Sequence, residues 1–382
     1  MLSRAISYIQ KFFHKKSRLK KDYDENEDTV SERNDQNRKH EILNVILDAA
    51  KKEFEIKWNS SKSNDTDTFQ LCNFEIIKTL SRTNIGHVVL ARNISTEKNS
   101  LYAVKVIIKN LAVLRNRISS VICENKILRA TNFPFIINYK FSFKDNANLY
   151  LGMEFIAGGD LFTHLRKAGK FDEAQIKFYA AQIILSLEYL HFIGIIHRDI
   201  KPENVMIDQY GYLKIIDFNL AKYVGHNTTT TKCGTRVYMA PELLSLERIS
   251  YSFNVDWWSL GVLIYEMSVG KVPFEASNSF ELLYKINMYE IQYPVDMNEH
   301  IKELIKKLLQ PKINERLADA YSVKNEPFFD DTDWLKVYYK SVQPPFVPFV
   351  KSNQDTSNFD SISEHRITEQ SFNMFEKEFE EF

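Results

Sequence analysis

Apolar residues fall at strand spacing in one limited part of the chain and at helical spacing through most of the rest. Phe74-Glu-Ile-Ile-Lys-Thr-Leu80, His87-Val-Val-Leu-Ala91 and Leu101-Tyr-Ala-Val-Lys-Val-Ile-Ile108 are short runs joined by polar turns such as Asn93 to Ser100. β-Branched and aromatic residues bounded by turn formers predict a small antiparallel sheet. Farther on, Asp172-Glu-Ala-Gln175 offers a helix N-cap with Gln three residues later, and Ile176, Tyr179, Ala180, Ile183, Leu187 and Leu190 follow at helical spacing until Gly194. Helical patterns continue to about Phe329. The expected class is α+β, with a β-rich lobe over 74–157, a larger helical lobe over 158–329 and a tail over 330–382.

The region before the sheet divides again. Ile42, Ile46, Leu47, Ala50 and Phe54 have a helical period that ends on Trp58, so residues 46–73 are expected to supply a docked helix and its connector. Residues 1–45 are expected to be an extension, first basic and amphipathic, then acidic and flexible. Its first 21 residues carry seven Lys/Arg and no acid, with Leu2, Ile6, Ile9 and Phe13 at helical spacing. Asp22 to Asp35 holds seven acids and almost nothing apolar, which predicts a solvated linker because no burial offsets its ordering entropy.

Composition removes several function classes. Lys+Arg and Asp+Glu are equal at 50 each, so no whole-chain basic field points to nucleic acid. Cys72, Cys123 and Cys233 form neither a disulfide framework nor a metal-binding pair, which favours a reducing compartment. The most apolar stretch, Ile183 to Ile196, is too short to span a bilayer and contains Glu188 and His191. It is expected to be a buried helix.

The candidate chemistry lies in one ordered set. His197-Arg-Asp-Ile-Lys-Pro-Glu-Asn204 is followed by Asp217-Phe-Asn219 and then by Ala240-Pro-Glu242, while upstream Ala103-Val-Lys105 lies on a strand and Glu124 on the helix that follows. Any one of these charges, taken alone, would be a solvated surface group or a structural ion pair. In this order, and on a two-lobe layout, they resemble the protein-kinase signature set. The resemblance implies the bilobal protein-kinase fold, with ATP and Mg²⁺ as nucleotide and metal. Lys105 would reach the α- and β-phosphates with Glu124 holding its ammonium, and Asn204 and Asp217 would ligate the metal through hard oxygens. Asp199 would orient the incoming hydroxyl and accept its proton, with Lys201 balancing charge on the moving phosphoryl.

Further stretches sharpen the resemblance. Asn132-Phe-Pro-Phe135, Ala157-Gly-Gly159, Phe178-Tyr-Ala-Ala-Gln182, Asp256-Trp-Trp258, Thr332-Asp-Trp334, Pro345-Phe-Val-Pro348 and the terminal Phe379-Glu-Glu-Phe382 are similar to AGC-group serine/threonine kinases, the cAMP-dependent kinase catalytic subunit in particular. The likeness runs from about Ala49 to the last residue. By resemblance, Val88, Ala103, Met153 and Met206 would surround the adenine, Gly86 would belong to the phosphate lid, and Phe359 would bring the tail to the nucleotide. Leu128, Tyr139, His197 and Phe218 would form a stack joining the lobes, and Phe379 and Phe382 would dock in the N-terminal lobe. Asp160, Glu203 and Glu266 would bind basic residues of a protein substrate, and Thr231 would be phosphorylated by an upstream kinase, with Arg198 and Lys222 as its cationic pocket.

The pattern also breaks. Where the family has Leu-Gly-x-Gly-x-Phe-Gly, this chain reads Leu80-Ser-Arg-Thr-Asn-Ile-Gly86, so Ser81 and Thr83 are expected to stiffen or distort the lid. Asn219 replaces a glycine, and is expected to tolerate positive φ and to add a hydrogen bond. Ser120 stands where the family has a histidine. Lys232, Arg236 and Met239 occupy a pocket that is apolar in the family, while Thr230 and Leu283 replace two aromatic anchors for a regulatory subunit, making such a subunit a poor partner. The leading expectation is a Ser/Thr protein kinase acting near upstream Arg; the alternative is a weakly active pseudokinase serving as a nucleotide-sensing scaffold. The expected location is the cytoplasm, with the nucleus and a membrane-peripheral site as alternatives, the last through residues 1–21 on anionic lipid. The chain starts Met-Leu, so the glycine that myristoylation requires is absent; a mitochondrial presequence or a basic tail would share the same character.

Overall fold

The computed structural model describes residues 25–60, 69–95, 99–360, 362, 363, 367, 371, 372 and 375–382, with side chains from 38 onwards. The basic segment 1–21 lies outside the described residues.

Five antiparallel strands form the N-terminal sheet in the order β1-β2-β3-β5-β4: β1 is Phe74–Thr83, β2 Gly86–Asn93, β3 Leu101–Ile108, β4 Tyr139–Lys144 and β5 Asn148–Glu154. Thr83 pairs directly with Gly86, so Asn84 and Ile85 make a two-residue turn and the lid is the end of a regular hairpin. Both β1 and β2 reach that turn as strands, with Ser81 and Thr83 at positions where glycine would weaken pairing. Register shifts at Ile76/Lys78 and Thr79/Ser81 bend β1. The helix Ile118–Ala130 buries Val121, Ile127 and Leu128 and carries Glu124 on the same buried side.

In the C-terminal lobe, helices Glu173–Phe192 and Asn254–Val269 are buried almost all round, as an apolar composition on every face requires. Asp172 caps the first: its Oδ1 accepts from the Gln175 amide at 2.8 Å while Gln175 Oε1 accepts from Asp172 N at 3.1 Å. After it come β6 (Ile195–Ile196), β7 (Val205–Ile207), β8 (Leu213–Ile215) and β9 (Lys222–Tyr223), which pair as β6 with β9 and β7 with β8. These short pairs hold the 197–204 loop between β6 and β7 and set Asp217 just after β8. Ile137 N donates to Ile215 O at 3.0 Å and Ile215 N to Phe135 O at 2.8 Å, stitching the lobes together behind the cleft.

The first helix is longer than its apolar period suggests. It runs Glu25–Asn59, with Leu43, Leu47 and Phe54 buried against the rest of the molecule. Its backbone therefore takes in much of the acidic stretch expected to be a solvated linker. Acids near a helix N-terminus interact favourably with the helix dipole, and the anchored C-terminal half supplies the nucleus from which the remainder extends. No helix among the described residues is long and apolar enough to cross a membrane.

Candidate active site

A cleft of about 330 Å³ opens between the lobes, lined by Leu80, Ser81, Arg82, Thr83, Val88, Ala103, Lys105, Glu124, Met153, Met206, Asn204, Asp217 and Phe359, among others. Alternation along β3 explains the central cation. Val104 and Val106 turn into the sheet's other core face, so Lys105 points into the cleft from a strand that is otherwise apolar. Its Nζ lies 2.6 Å from Glu124 Oε1 and 2.9 Å from Asp217 Oδ1. Burial would lower the pKa of Lys105, but the two carboxylates outweigh it and hold the ammonium above its ordinary range. Burial pushes Glu124 up to about 6 despite the ammonium beside it. Burial acts upward on Asp217 too, yet Lys105 prevails and keeps that carboxyl below its ordinary value.

On the other side of the cleft the 197–204 loop is fixed from beneath. Asp256, fully buried, accepts from His197 N at 2.9 Å and Arg198 N at 2.7 Å, and its Oδ2 lies 2.9 Å from His191 Nε2. His197 meets Phe218 edge-on with ring centroids 5.0 Å apart, both side chains fully buried. Leu128 is buried and Tyr139 half-buried.

Asp199 is buried beside the cleft residues Lys201 and Asn204, with both oxygens occupied. Oδ1 accepts from Thr235 N at 3.0 Å and Thr235 Oγ1 at 2.7 Å; Oδ2 accepts from Asn204 Nδ2 at 2.8 Å and lies 3.0 Å from Lys201 Nζ. Lys201 Nζ donates to Thr235 Oγ1 at 2.7 Å. Asn204 Nδ2 also donates to the Asp199 carbonyl at 2.8 Å, which directs its carboxamide oxygen away from that loop. Asn204 and Asp217 thus offer hard oxygens on one cleft, a donor set suited to a magnesium ion that keeps water and phosphate oxygens as its other ligands.

With that geometry in view, the comparisons with known proteins are decisive. Residues 74–329 match the protein kinase domain. The chain belongs to the protein kinase family. It is 41% identical over 304 residues to the serine/threonine-protein kinase gad8 of Schizosaccharomyces pombe, covering 78% of this chain and 53% of that protein. It is 38% identical over 305 residues to the cAMP-dependent protein kinase catalytic subunit of Dictyostelium discoideum, covering 79% and 46%, and 41% identical over 300 residues to catalytic subunit 3 of Drosophila melanogaster, covering 78% and 51%. These relatives place the kinase in the AGC group. The chain spans about half the length of the curated relatives it matches.

Several expected positions in the kinase behave differently from the resemblance. Gly86 does not line the cleft; a Cβ there would lie 1.9 Å from the Val106 carbonyl oxygen, so this glycine serves the close approach of β2 to β3. Asn219 is not among the residues of positive φ; Asp217 is, at 58°, and Asn219 contributes the hydrogen bond alone, Nδ2 to Asp217 Oδ2 at 2.8 Å. Thr231 is exposed, and the cations expected around it are engaged nearby: Lys222 Nζ donates to Thr229 Oγ1 at 2.9 Å, and Arg198 to Leu220 O at 2.6 Å and Tyr251 Oη at 3.1 Å. Tyr251 in turn donates to the Thr231 carbonyl.

Among the acids expected to meet substrate, Asp160 lines the cleft but also caps the helix Leu161–Ala168, its Oδ1 accepting from Thr163 N at 2.7 Å. Glu203 is exposed at the cleft mouth. Glu266 is buried and accepts from the Tyr238 hydroxyl, and burial raises its pKa. Arg236 donates to Ser277 O at 3.1 Å and Ala276 O at 3.4 Å, so a carbonyl pair, not a carboxylate, holds the cation that replaces an apolar neighbour.

Thr235, Phe155 and Ile156 were not singled out by motif reasoning. Phe359 stacks on Phe155 with centroids 5.6 Å apart, closing one side of the cleft, and Phe155 and Ile156 follow β5 directly. An apolar pair at the end of a buried strand is the only signal that would have flagged them. Thr235 carries no signal of its own; its role appears only when the fold sets it against Asp199.

Proposed function

We propose that this kinase domain transfers the γ-phosphoryl group of ATP to serine or threonine hydroxyls of protein substrates, with a preference for upstream arginine. The observation that carries the reading is the hydroxyl already lodged at Asp199: Thr235 Oγ1 lies 2.7 Å from both Asp199 Oδ1 and Lys201 Nζ. An incoming substrate hydroxyl needs the same two partners, a carboxylate to orient it and accept its proton and an ammonium to balance the moving phosphoryl. Lys105, held by Glu124, supplies a cation for the α- and β-phosphates. Bound Mg²⁺, held by Asn204 and Asp217, would screen charge on the phosphate oxygens. Apolar groups on both lobes, Val88, Ala103, Met153 and Met206, provide the walls for a purine.

Exposed Glu203 lies close enough to buried Glu266 to add to the upward push that burial gives the Glu266 carboxyl, which supports capture of a guanidinium by bidentate hydrogen bonds. Phosphorylation of Thr231 by an upstream kinase would draw Lys222 and Arg198 from their present partners. The lost lid glycines favour weaker nucleotide binding, not its loss, because the lid remains a closed hairpin over the cleft. Thr230 and Leu283 leave a regulatory subunit without two aromatic anchors. A cytoplasmic or nuclear location, or peripheral attachment to anionic membrane through residues 1–21, belongs to the same reading.

Transfer of radiolabelled phosphate from ATP to arginine-rich peptides tests the proposal. Asp199→Asn and Lys105→Met should each abolish transfer with circular dichroism unchanged. Undiminished turnover in either purified variant would sink the kinase assignment.

A further inference from the structure

Asn219 stands where the resemblance expects glycine, yet its backbone uses none of the freedom that glycine provides, since its φ is not positive. The strain sits instead at Asp217, whose φ of 58° is a conformation that non-glycine residues keep only where their surroundings hold them. Three restraints converge there. Lys105 Nζ meets Asp217 Oδ1 at 2.9 Å, Asn219 Nδ2 donates to Oδ2 at 2.8 Å, and Phe218 between the two is buried against His197.

We infer that Asn219 is a positioning residue for magnesium binding, its carboxamide fixing the plane of the Asp217 carboxylate. A carboxylate oxygen has two lone-pair directions, so one donor on each oxygen leaves one direction on each for a cation. The Lys105 contact and the Asn219 backbone N–H, which also favours the ionised carboxylate, leave rotation about the Cβ–Cγ bond only partly restrained. The Asn219 carboxamide on the opposite oxygen from Lys105 removes that rotation before the metal arrives, and the metal then meets an oriented ligand. The substitution thus exchanges a flexible backbone position for a side-chain restraint on the neighbouring ligand. The inference rests on the kinase reading in one respect, that the cleft's ligand is a magnesium nucleotide.

Calorimetric titration of the full chain with ATP over a magnesium series, together with Mn²⁺ binding followed by electron paramagnetic resonance, tests it. The variants are Asn219→Gly, the residue the family uses, and Asn219→Leu, which keeps bulk but has no donor. Both should bind metal-free ATP as the wild type does and require about ten-fold more Mg²⁺ for half-saturation, the scale of one hydrogen bond to a charged group. The same metal requirement in both variants as in the wild type would overturn the inference. Weakened metal-free ATP binding in both would also overturn it, since that would mark a role in shaping the cleft. A wild-type chain that binds no nucleotide at any magnesium concentration would instead remove the kinase reading and, with it, the ligand that this inference assumes.

Discussion

The indole of Trp58 lies over the ring of Tyr223, with centroids 4.7 Å apart. The Lys126 ammonium sits 4.4 Å from the same indole's centre, and Phe54 stacks on it at 5.3 Å. Three elements meet at one side chain: the first helix, β9 at the start of the Thr231 loop, and the helix that carries Glu124. Aromatic pairing and a cation over the ring contribute about 1–2 kcal/mol together.

Trp58→Ala should therefore lower unfolding stability by about that amount and, by loosening the Glu124 helix, lower kcat as well. Trp58→Phe should retain most of both. Urea melts and steady-state kinetics on the two variants check this; unchanged kcat in Trp58→Ala would show that the contact is structural only.

The buried Glu124 carboxyl, at about 6, sets an acid limit on activity. It is an acid whose folded pKa is raised, so it is ionised above that value and takes up a proton as pH falls through it. Lys105 then loses one of its two anionic partners. ATP affinity should decline as pH drops from 7 towards 5, with a midpoint near 6. Glu124→Gln should bind ATP more weakly throughout and lose that inflection; an inflection that persists would assign it to another group.

The lid offers a gain-of-function test. Thr83 Oγ1 is buried without a hydrogen-bond partner, a cost that glycine would not incur. The double change Ser81→Gly and Thr83→Gly should lower the KM for ATP by several-fold, because glycine lets the lid's backbone N–H groups approach the phosphates without a Cβ in the way. Equal KM values would mean that the hairpin compensates through its neighbours.

Glu242 and Arg316 form a buried bidentate pair in the large lobe, 2.7 Å from Nη1 to Oε1 and 2.9 Å from Nη2 to Oε2. Removing one partner leaves the other charge buried alone. Arg316→Ala should destabilise the fold by about 3–5 kcal/mol in urea unfolding, and the double change Arg316→Met with Glu242→Leu should cost clearly less.

Much of this was legible in the sequence because it obeys simple periods. Lys105 stands as the lone cation in the apolar β3 run from Leu101 to Ile108, and its pairing with Glu124 followed from the resemblance to the kinase signature, not from the run itself. The Asp172–Gln175 cap likewise follows from residue type and spacing. What escaped depends on contacts between distant segments. Thr235 is an unremarked threonine until the chain folds it onto Asp199, and Gly86 looks like part of a phosphate lid until the Val106 carbonyl is found beneath it. For Asn219, residue type suggested the hydrogen bond correctly and the backbone angle wrongly, because side-chain chemistry is intrinsic whereas φ is imposed by the turn.

The family match stops at Phe329, but the wall that Phe359 adds to the cleft is made later in the chain, and Asn358, Thr356 and Gln354 tie that stretch to Ala157, Lys78 and Arg92. A ribosome that has finished everything the family match recognises has still to make part of the wall of the cleft proposed to hold the nucleotide. A fragment ending at Phe329 would lack the Phe359 wall of the cleft and, with it, the buried side chains of Leu335, Val337, Phe379 and Phe382, so a premature stop codon there would remove core as well as one side of the cleft.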